Sequence, residues 1–191
     1  MTLGFYFDVN KCSGCRTCHM ACKERHNFNI GSILRKVSSF EVGTYPNVTG
    51  FRYSSSCYHC ENPACMPVCP KSAIFRATDG TVLLETSMCI GCRLCEQACP
   101  YNALQFVADQ NVMAKCDSCI SLRMKGENPV CVDACNMRCL DFGDLQTLTQ
   151  THGPDLVQEL PITPPANLTS PRVLIKPKPS SLSTNARKVE I

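Results

Sequence analysis

No stretch of this sequence approaches the roughly 20 consecutive apolar residues of a membrane-crossing helix, so the chain is expected to have no span of its own. A long block of one charge is missing too. The 19 basic and 16 acidic side chains are interspersed and leave a formal charge of +3. That balance gives no signal for nucleic acid or an anionic membrane surface as a partner. The opening MTLGFYFDVN lacks a basic start, a long apolar segment and a small-residue cleavage site, so no export signal of its own is expected. Equally absent are a nucleophile–base pair, a phosphate loop and an open metal site. The chain is therefore read as non-catalytic. With 44% hydrophobic and 18% charged residues it is not disordered by composition. Its 191 residues suffice for one moderate core or two small ones.

Against these absences stand 17 cysteines, a density that needs a cause. A disulfide-stapled secreted chain fits poorly, because the count is odd and many cysteines are only two or three residues apart. Structural zinc takes two CxxC pairs per ion and leaves the later cysteines of each group without a role. Scattered buried thiols would show no regular spacing. The stretch CIGCRLCEQACP, residues 89–100, follows the C-x2-C-x2-C-x3-C-P run of bacterial ferredoxins. In that run three thiolates wrap one cubane and the fourth reaches a second cluster. The loop points three sulfurs at one cage, and three residues later the next sulfur faces away from it. The closing proline suits the first turn of a helix, where no amide donor is needed.

Four such groups are present. The first is Cys12, Cys15, Cys18 and Cys22; the second Cys57, Cys60, Cys65 and Cys69, widened by Asn62-Pro63. The third is Cys89, Cys92, Cys95 and Cys99, and the fourth Cys116, Cys119, Cys131 and Cys135. Sixteen thiolates are enough for four 4Fe–4S clusters. Residues 12–22 and 89–99 share C-x-G-C-R-x-C-x-x-A-C, an internal repeat. CPKSAI and CPYNAL follow the second and third groups, and CNMRCL begins at the last cysteine of the fourth. Aligned so, Cys139 falls at the position of Ala73 and Ala103, and is read as packing, not as a ligand. Arg16, Arg93, Lys71 and Lys115 adjoin ligands and could raise cluster potentials, or be ordinary solvated cations. His19 and His59 are assigned neighbouring roles, since the cysteine set is already complete.

Between the groups, AIFRATDGTVLLETSMC reads as a hairpin around Asp79-Gly80, and ALQFVADQNVMAKC as another. SILRKVSSFEV and GFRYSSS read as added strands, and residues 120–130 as a polar, partly basic loop, solvent-exposed in preference to a docking site. Seven of the 13 prolines lie between Pro154 and Pro179, which excludes a helix or central strand there. The tail is expected to be either disordered or an extended arm lying on a partner, and the apolar VLI within it favours the arm. The fold class is α+β: two intercalated ferredoxin-like two-cluster units with short hairpins and helices, plus the Pro-rich arm. The segments are 3–32, 48–79, 80–109, 110–145 and the tail 146–191. The middle stretch forms one unit, and the first and fourth groups form a second, split one.

The four groups in this order, together with CIGCRLCEQACPYNA, MAKCDSC, CLDFGDLQTLTQTHG and VLIKP, resemble the iron–sulfur electron-transfer (beta) subunits of molybdopterin oxidoreductases. Within that family the likeness is greatest to the branch serving anaerobic dimethyl sulfoxide reductases. Asn136 departs from the usual proline and Cys139 from the usual alanine. The resemblance implies interlocked ligand sets. These are Cys12, Cys15, Cys18 and Cys135; Cys22, Cys116, Cys119 and Cys131; Cys57, Cys60, Cys65 and Cys99; and Cys69, Cys89, Cys92 and Cys95. It also implies a molybdopterin catalytic subunit and a quinol-oxidising membrane anchor as partners. The chain would lie peripherally at the bacterial inner membrane through that complex, on the periplasmic face if co-exported with the catalytic subunit. Formate, thiosulfate or polysulfide, tetrathionate and nitrite complexes use equivalent subunits, and a free-standing polyferredoxin is a further alternative. Each cluster with four thiolates carries about −2 when oxidised, so four take the formal charge to roughly −5.

Overall fold

The computed structural model describes residues 2–190. In chain order come β1 (Leu3–Asp8), α1 (Thr17–Arg25), β2 (Lys36–Thr44), β3 (Asn47–Ser55), β4 (Ile74–Arg76) and β5 (Val82–Leu84). There follow α2 (Leu94–Ala98), β6 (Leu104–Val107), β7 (Val112–Lys115), α3 (Ile120–Arg123) and α4 (Val130–Asp133). The chain ends with β8 (Leu140–Asp144), α5 (Leu145–His152), β9 (Val173–Lys176) and β10 (Arg187–Val189).

Both expected hairpins form. Strands β4 and β5 pair antiparallel with Ile74 opposite Leu84, and β6 and β7 pair with Leu104 opposite Lys115. Asp79 closes the first turn by accepting from the Thr81 amide at 2.9 Å, while Gly80 takes the positive φ of 82° that the bend requires. The alternating stretches around Phe40 and Phe51 are the antiparallel pair β2–β3, and β10 adds to its outer edge. A third sheet has the order β8–β1–β9. Its centre, LGFYFD, is buried over five of six residues, so both faces need apolar or aromatic side chains.

The Pro-rich tail departs from the expectation. It lies on this chain's own core: Val173 and Ile175 on β9 are buried, and the strand runs parallel to β1 as the sheet's edge. At the edge its outer side makes only one bridge, Val157 with Ile175, and this light demand for ladder bonds is how a segment flanked by prolines can pair at all. The proline after the third group also behaves differently. Helix α2 ends at Ala98, Cys99 turns extended at ψ 112°, and Pro100 opens a turn. A proline disfavours helical backbone in the residue before it, so Pro100 stops the helix and does not start one. Residues 120–130 hold a short helix, α3, before an exposed tip from Met124 to Asn128.

Two apolar cores result. The larger joins Phe5, Phe7, Phe51, Tyr53, Leu140 and Ile175 with cysteines of the first, second and fourth groups. A smaller one under the hairpins joins Ile74, Val82, Leu104 and Met113 with Cys65 and Cys95.

Candidate metal centres

The repeat seen in the sequence is also a repeat of backbone. Gly14 and Gly91 have φ 81° and 67°, and Arg16 and Arg93, two residues on, have φ 60° and 63°. Left-handed residues curl the peptide so that successive sulfurs share one side of the loop. Gly91 cannot be replaced freely, since a Cβ there would stand 2.5 Å from the Asn111 carbonyl oxygen. The ends of three groups match as well. Ser72, Asn102 and Arg138 have φ 48°, 49° and 48°, and their amides donate to the carbonyls of Cys69, Cys99 and Cys135. One residue later the Ala73 amide donates to the Cys69 sulfur at 3.2 Å, and the Cys139 amide to the Cys135 sulfur at 3.3 Å. Cys139 therefore occupies the backbone position of Ala73, with Asn136 in place of a proline.

The cysteines of different groups stand around shared spaces. One cavity is walled by Cys57, Cys60, Cys65 and Cys99. A second is walled by Cys69, Cys89, Cys92 and Cys95. A third is walled by Cys12, Cys15, Cys18 and Cys135, with Cys139 beside them. The remaining four, Cys22, Cys116, Cys119 and Cys131, are all buried. Cys22 and Cys116 each feel the Cys131 thiol; Cys22 also feels Cys119, and Cys116 also feels Cys22. Among the described residues no three His, Cys, Asp or Glu side chains converge as they would on a single metal ion. The thiols are spread around a volume.

The donor set suits iron–sulfur cages on two further grounds. Amides and hydroxyls already point at sulfur: Met113 N to Cys89 at 3.4 Å, Ser118 N to Cys116 at 3.3 Å and the Thr17 hydroxyl to Cys15 at 3.3 Å. The bare thiols, moreover, resist ionisation. Burial, with neighbouring cysteines second, pushes Cys22 and Cys65 up to about 12 and Cys95 up to about 11. Such sulfurs become thiolates when a metal supplies the compensating charge. Of the 17 cysteines only Cys15 and Cys92 are exposed.

Cys139 is 3% exposed, and its sulfur lies 3.4 Å from that of Cys135. Contact with Cys12, together with burial, pushes the Cys139 thiol up. His59 is fully buried, with Nδ1 3.0 Å from the Val82 carbonyl, and burial followed by the Lys115 charge keeps it neutral. Neither His59 nor His19 lines any of the three thiol cavities.

The four basic residues singled out by adjacency separate in space. Arg93 is largely exposed, pairs with Glu96 at 2.8 Å and lies over the Phe106 ring. Lys71 lines the Cys92 cavity from the surface, and Arg16 lines the Cys15 cavity. Lys115 is buried, with Nζ donating to the carbonyls of Val82 and Cys116. Sequence reasoning missed Arg35. It sits in a stretch read only as strand, yet its side chain is buried against Ser54, Ser56 and the Phe5 ring. One basic residue in a half-apolar stretch ordinarily faces water, so adjacency to a motif was the only available signal, and Arg35 has none.

Comparison with known proteins fits this geometry. The family described as the 4Fe-4S dicluster domain matches residues 48–145. The B polypeptide of the anaerobic dimethyl sulfoxide reductase of Escherichia coli is 39% identical over 189 residues, covering 95% of this chain and 91% of its own length. The B polypeptide of the sulfite dehydrogenase of Allochromatium vinosum is 35% identical, covering 80% of this chain and 70% of its own. Its counterpart in the tetrathionate reductase of Salmonella typhimurium is 32% identical, covering 87% and 68%. The resemblance drawn from the cysteine groups thus extends over nearly the whole length. The protein belongs to the 4Fe-4S dicluster family of iron–sulfur oxidoreductase subunits, in which the B polypeptide of anaerobic dimethyl sulfoxide reductase is a member of high similarity.

Proposed function

We propose that this chain is a non-catalytic electron relay holding four 4Fe–4S clusters. The first is held by Cys12, Cys15, Cys18 and Cys135, the second by Cys22, Cys116, Cys119 and Cys131. The third is held by Cys57, Cys60, Cys65 and Cys99, and the fourth by Cys69, Cys89, Cys92 and Cys95. The observation carrying this reading is the sorting of thiols from separate groups around common cavities, four at a time. Bound clusters supply one-electron chemistry. The protein supplies amide donors to the sulfurs, apolar walls that keep water out, and selective exposure. Cys15 and Cys92 offer one accessible sulfur each in the first and fourth sets, whereas the second set is wholly buried. Electrons enter and leave by those two sets and pass between them through the other two.

The partners are a molybdopterin catalytic subunit that reduces a sulfoxide or N-oxide and a membrane anchor that oxidises quinol. The chain would sit peripherally at the inner membrane through them. No helix among the described residues is long and apolar enough to cross a membrane. Similarity to sulfite and tetrathionate enzymes favours one alternative, the same relay serving another sulfur oxyanion. Anaerobic co-purification tests both. Recovery of a molybdopterin subunit with dimethyl sulfoxide reductase activity supports the first reading, and activity only toward sulfite or tetrathionate overturns it in favour of the second. Zinc without acid-labile sulfide would overturn the cluster assignment itself, and a monomer with no bound subunit would point to a free polyferredoxin.

A further inference from the structure

Burying a positive side chain is costly unless an anion faces it, and such groups are usually paired. Four charged residues are buried among those described: Asp8, Arg35, Lys115 and Arg172. Arg172 is paired with Glu61, and Asp8 meets Asn10 and Lys11. Arg35 and Lys115, only 2% and 5% exposed, form no ion pair with a carboxylate among the described residues. Their anions must lie elsewhere.

The surroundings of each cation name the place. The Arg35 guanidinium donates to the Ser54 hydroxyl at 3.2 Å, and that hydroxyl lies 3.7 Å from the Cys18 sulfur. Its other nitrogen donates to Ser56 at 2.9 Å, and Ser56 reaches the Cys57 carbonyl. One turn further along α1, the Cys22 thiol also feels the Arg35 charge. Cys18 belongs to the first proposed set and Cys22 to the second, so Arg35 lies between them. Lys115 donates from Nζ to the Cys116 carbonyl at 2.7 Å, in the second set. Nζ also donates to the carbonyl of Val82, which lines the cavity of the third set beside Cys65 and Cys99. The fourth set has no equivalent: its nearest basic side chains, Lys71 and Arg93, are at the surface, where water screens them.

Resting on the four-cluster reading, we infer that Arg35 and Lys115 are fixed counter-cations placed between successive clusters, Arg35 between the first and second and Lys115 between the second and third. Each favours the more negative, reduced form of the two clusters it adjoins and so raises their reduction potentials. No proton or electron moves onto either side chain; the charge is static. In the dry interior one such charge acts on two redox centres at once, which the surface cations beside the fourth set cannot do.

Redox-titrated paramagnetic resonance on the anaerobically purified complex tests this, with iron and acid-labile sulfide counted on each sample. Lys115→Met is expected to lower two midpoint potentials and leave two unmoved. Arg35→Gln is expected to lower two, one of them shared with the Lys115 variant. The charge-preserving Lys115→Arg and Arg35→Lys are expected to restore most of each shift. Four intact signals with unchanged potentials in both neutral variants would overturn the inference while leaving the cluster assignment standing. Equal shifts in the neutral and charge-preserving variants would overturn it too, since packing would then be the cause. If a neutral variant loses a cluster, the charge-preserving partner decides. Four signals at parental potentials support the inference, and loss of the same cluster overturns it. Fewer than four signals in the parent complex would instead overturn the underlying assignment.

Discussion

Residues 57–115 brace their thiols with two short hairpins and a small local core, whereas the chain on either side braces its thiols with strands brought from its two ends. In the middle stretch Ile74, Val82, Leu104 and Met113 come from within a few dozen residues of one another. In the outer part β1 is flanked by β8 and β9, partners more than 130 residues away in sequence. The same kind of cage can thus be supported by nearby contacts or by distant ones. Distant support costs more loop-closure entropy and depends more on the cages to hold the ends together.

The largest expected effect comes from stripping the iron. Both parts should lose cooperative structure, with the β8–β1–β9 sheet exchanging its amides before the hairpins do, as read by hydrogen exchange at stepwise iron depletion. Faster exchange in the hairpins would reverse the comparison. Next, Cys92→Ser should delete or alter one cluster signal, assigned to the hairpin-supported fourth set, and leave three unchanged by paramagnetic resonance. Below that come paired cavity variants. Ile175→Ala in the outer core and Met113→Ala in the inner one should each cost about 2–5 kcal/mol, measured as a lower denaturant midpoint. Spectral change should be largest in the first and second sets for the former and in the fourth for the latter, with the third set touched by both.

Smaller still is the glycine pair. Gly14→Ala and Gly91→Ala both force a non-glycine residue into positive φ, at about 1–3 kcal/mol. Gly91→Ala should cost more, because its Cβ meets the Asn111 backbone while that of Gly14 meets the bendable Arg52 side chain. Matching thermal midpoints for the two would show that the loop yields. The smallest effect belongs to Cys139→Ala, which restores the residue found at the two equivalent turns and should leave all four signals in place. Loss of one would make Cys139 a ligand.

These regions also differed in how far the sequence revealed them. The hairpins announce themselves through Asp79-Gly80 and short apolar runs, because turn and pairing are both local. The cysteine groups and the position of Cys139 are spacings along the chain, and the left-handed turns at Ser72, Asn102 and Arg138 preserve that spacing in space. Pairing between LGFYFD and VLIK depends on two segments recognising each other across the whole chain, and no local pattern encodes it. The tail prolines correctly excluded a central strand but said nothing about what the arm would cover. Pro100 was legible as a helix signal and misplaced by one junction, since proline is equally at home opening a helix and halting one. Arg35 was invisible because its neighbours arrive from β3 and from the second cysteine group, not from its own strand.

Finally, the exposure of Cys15 and Cys92, set against the full burial of the second set, has a bearing on how the molecule ages in air. On the proposed relay, a terminal that must touch its partner must also touch dissolved oxidants, so corrosion of the bound clusters is expected to begin at these two corners and work inward. A protein left without its companions loses its contacts to the outside world first and its sealed middle last.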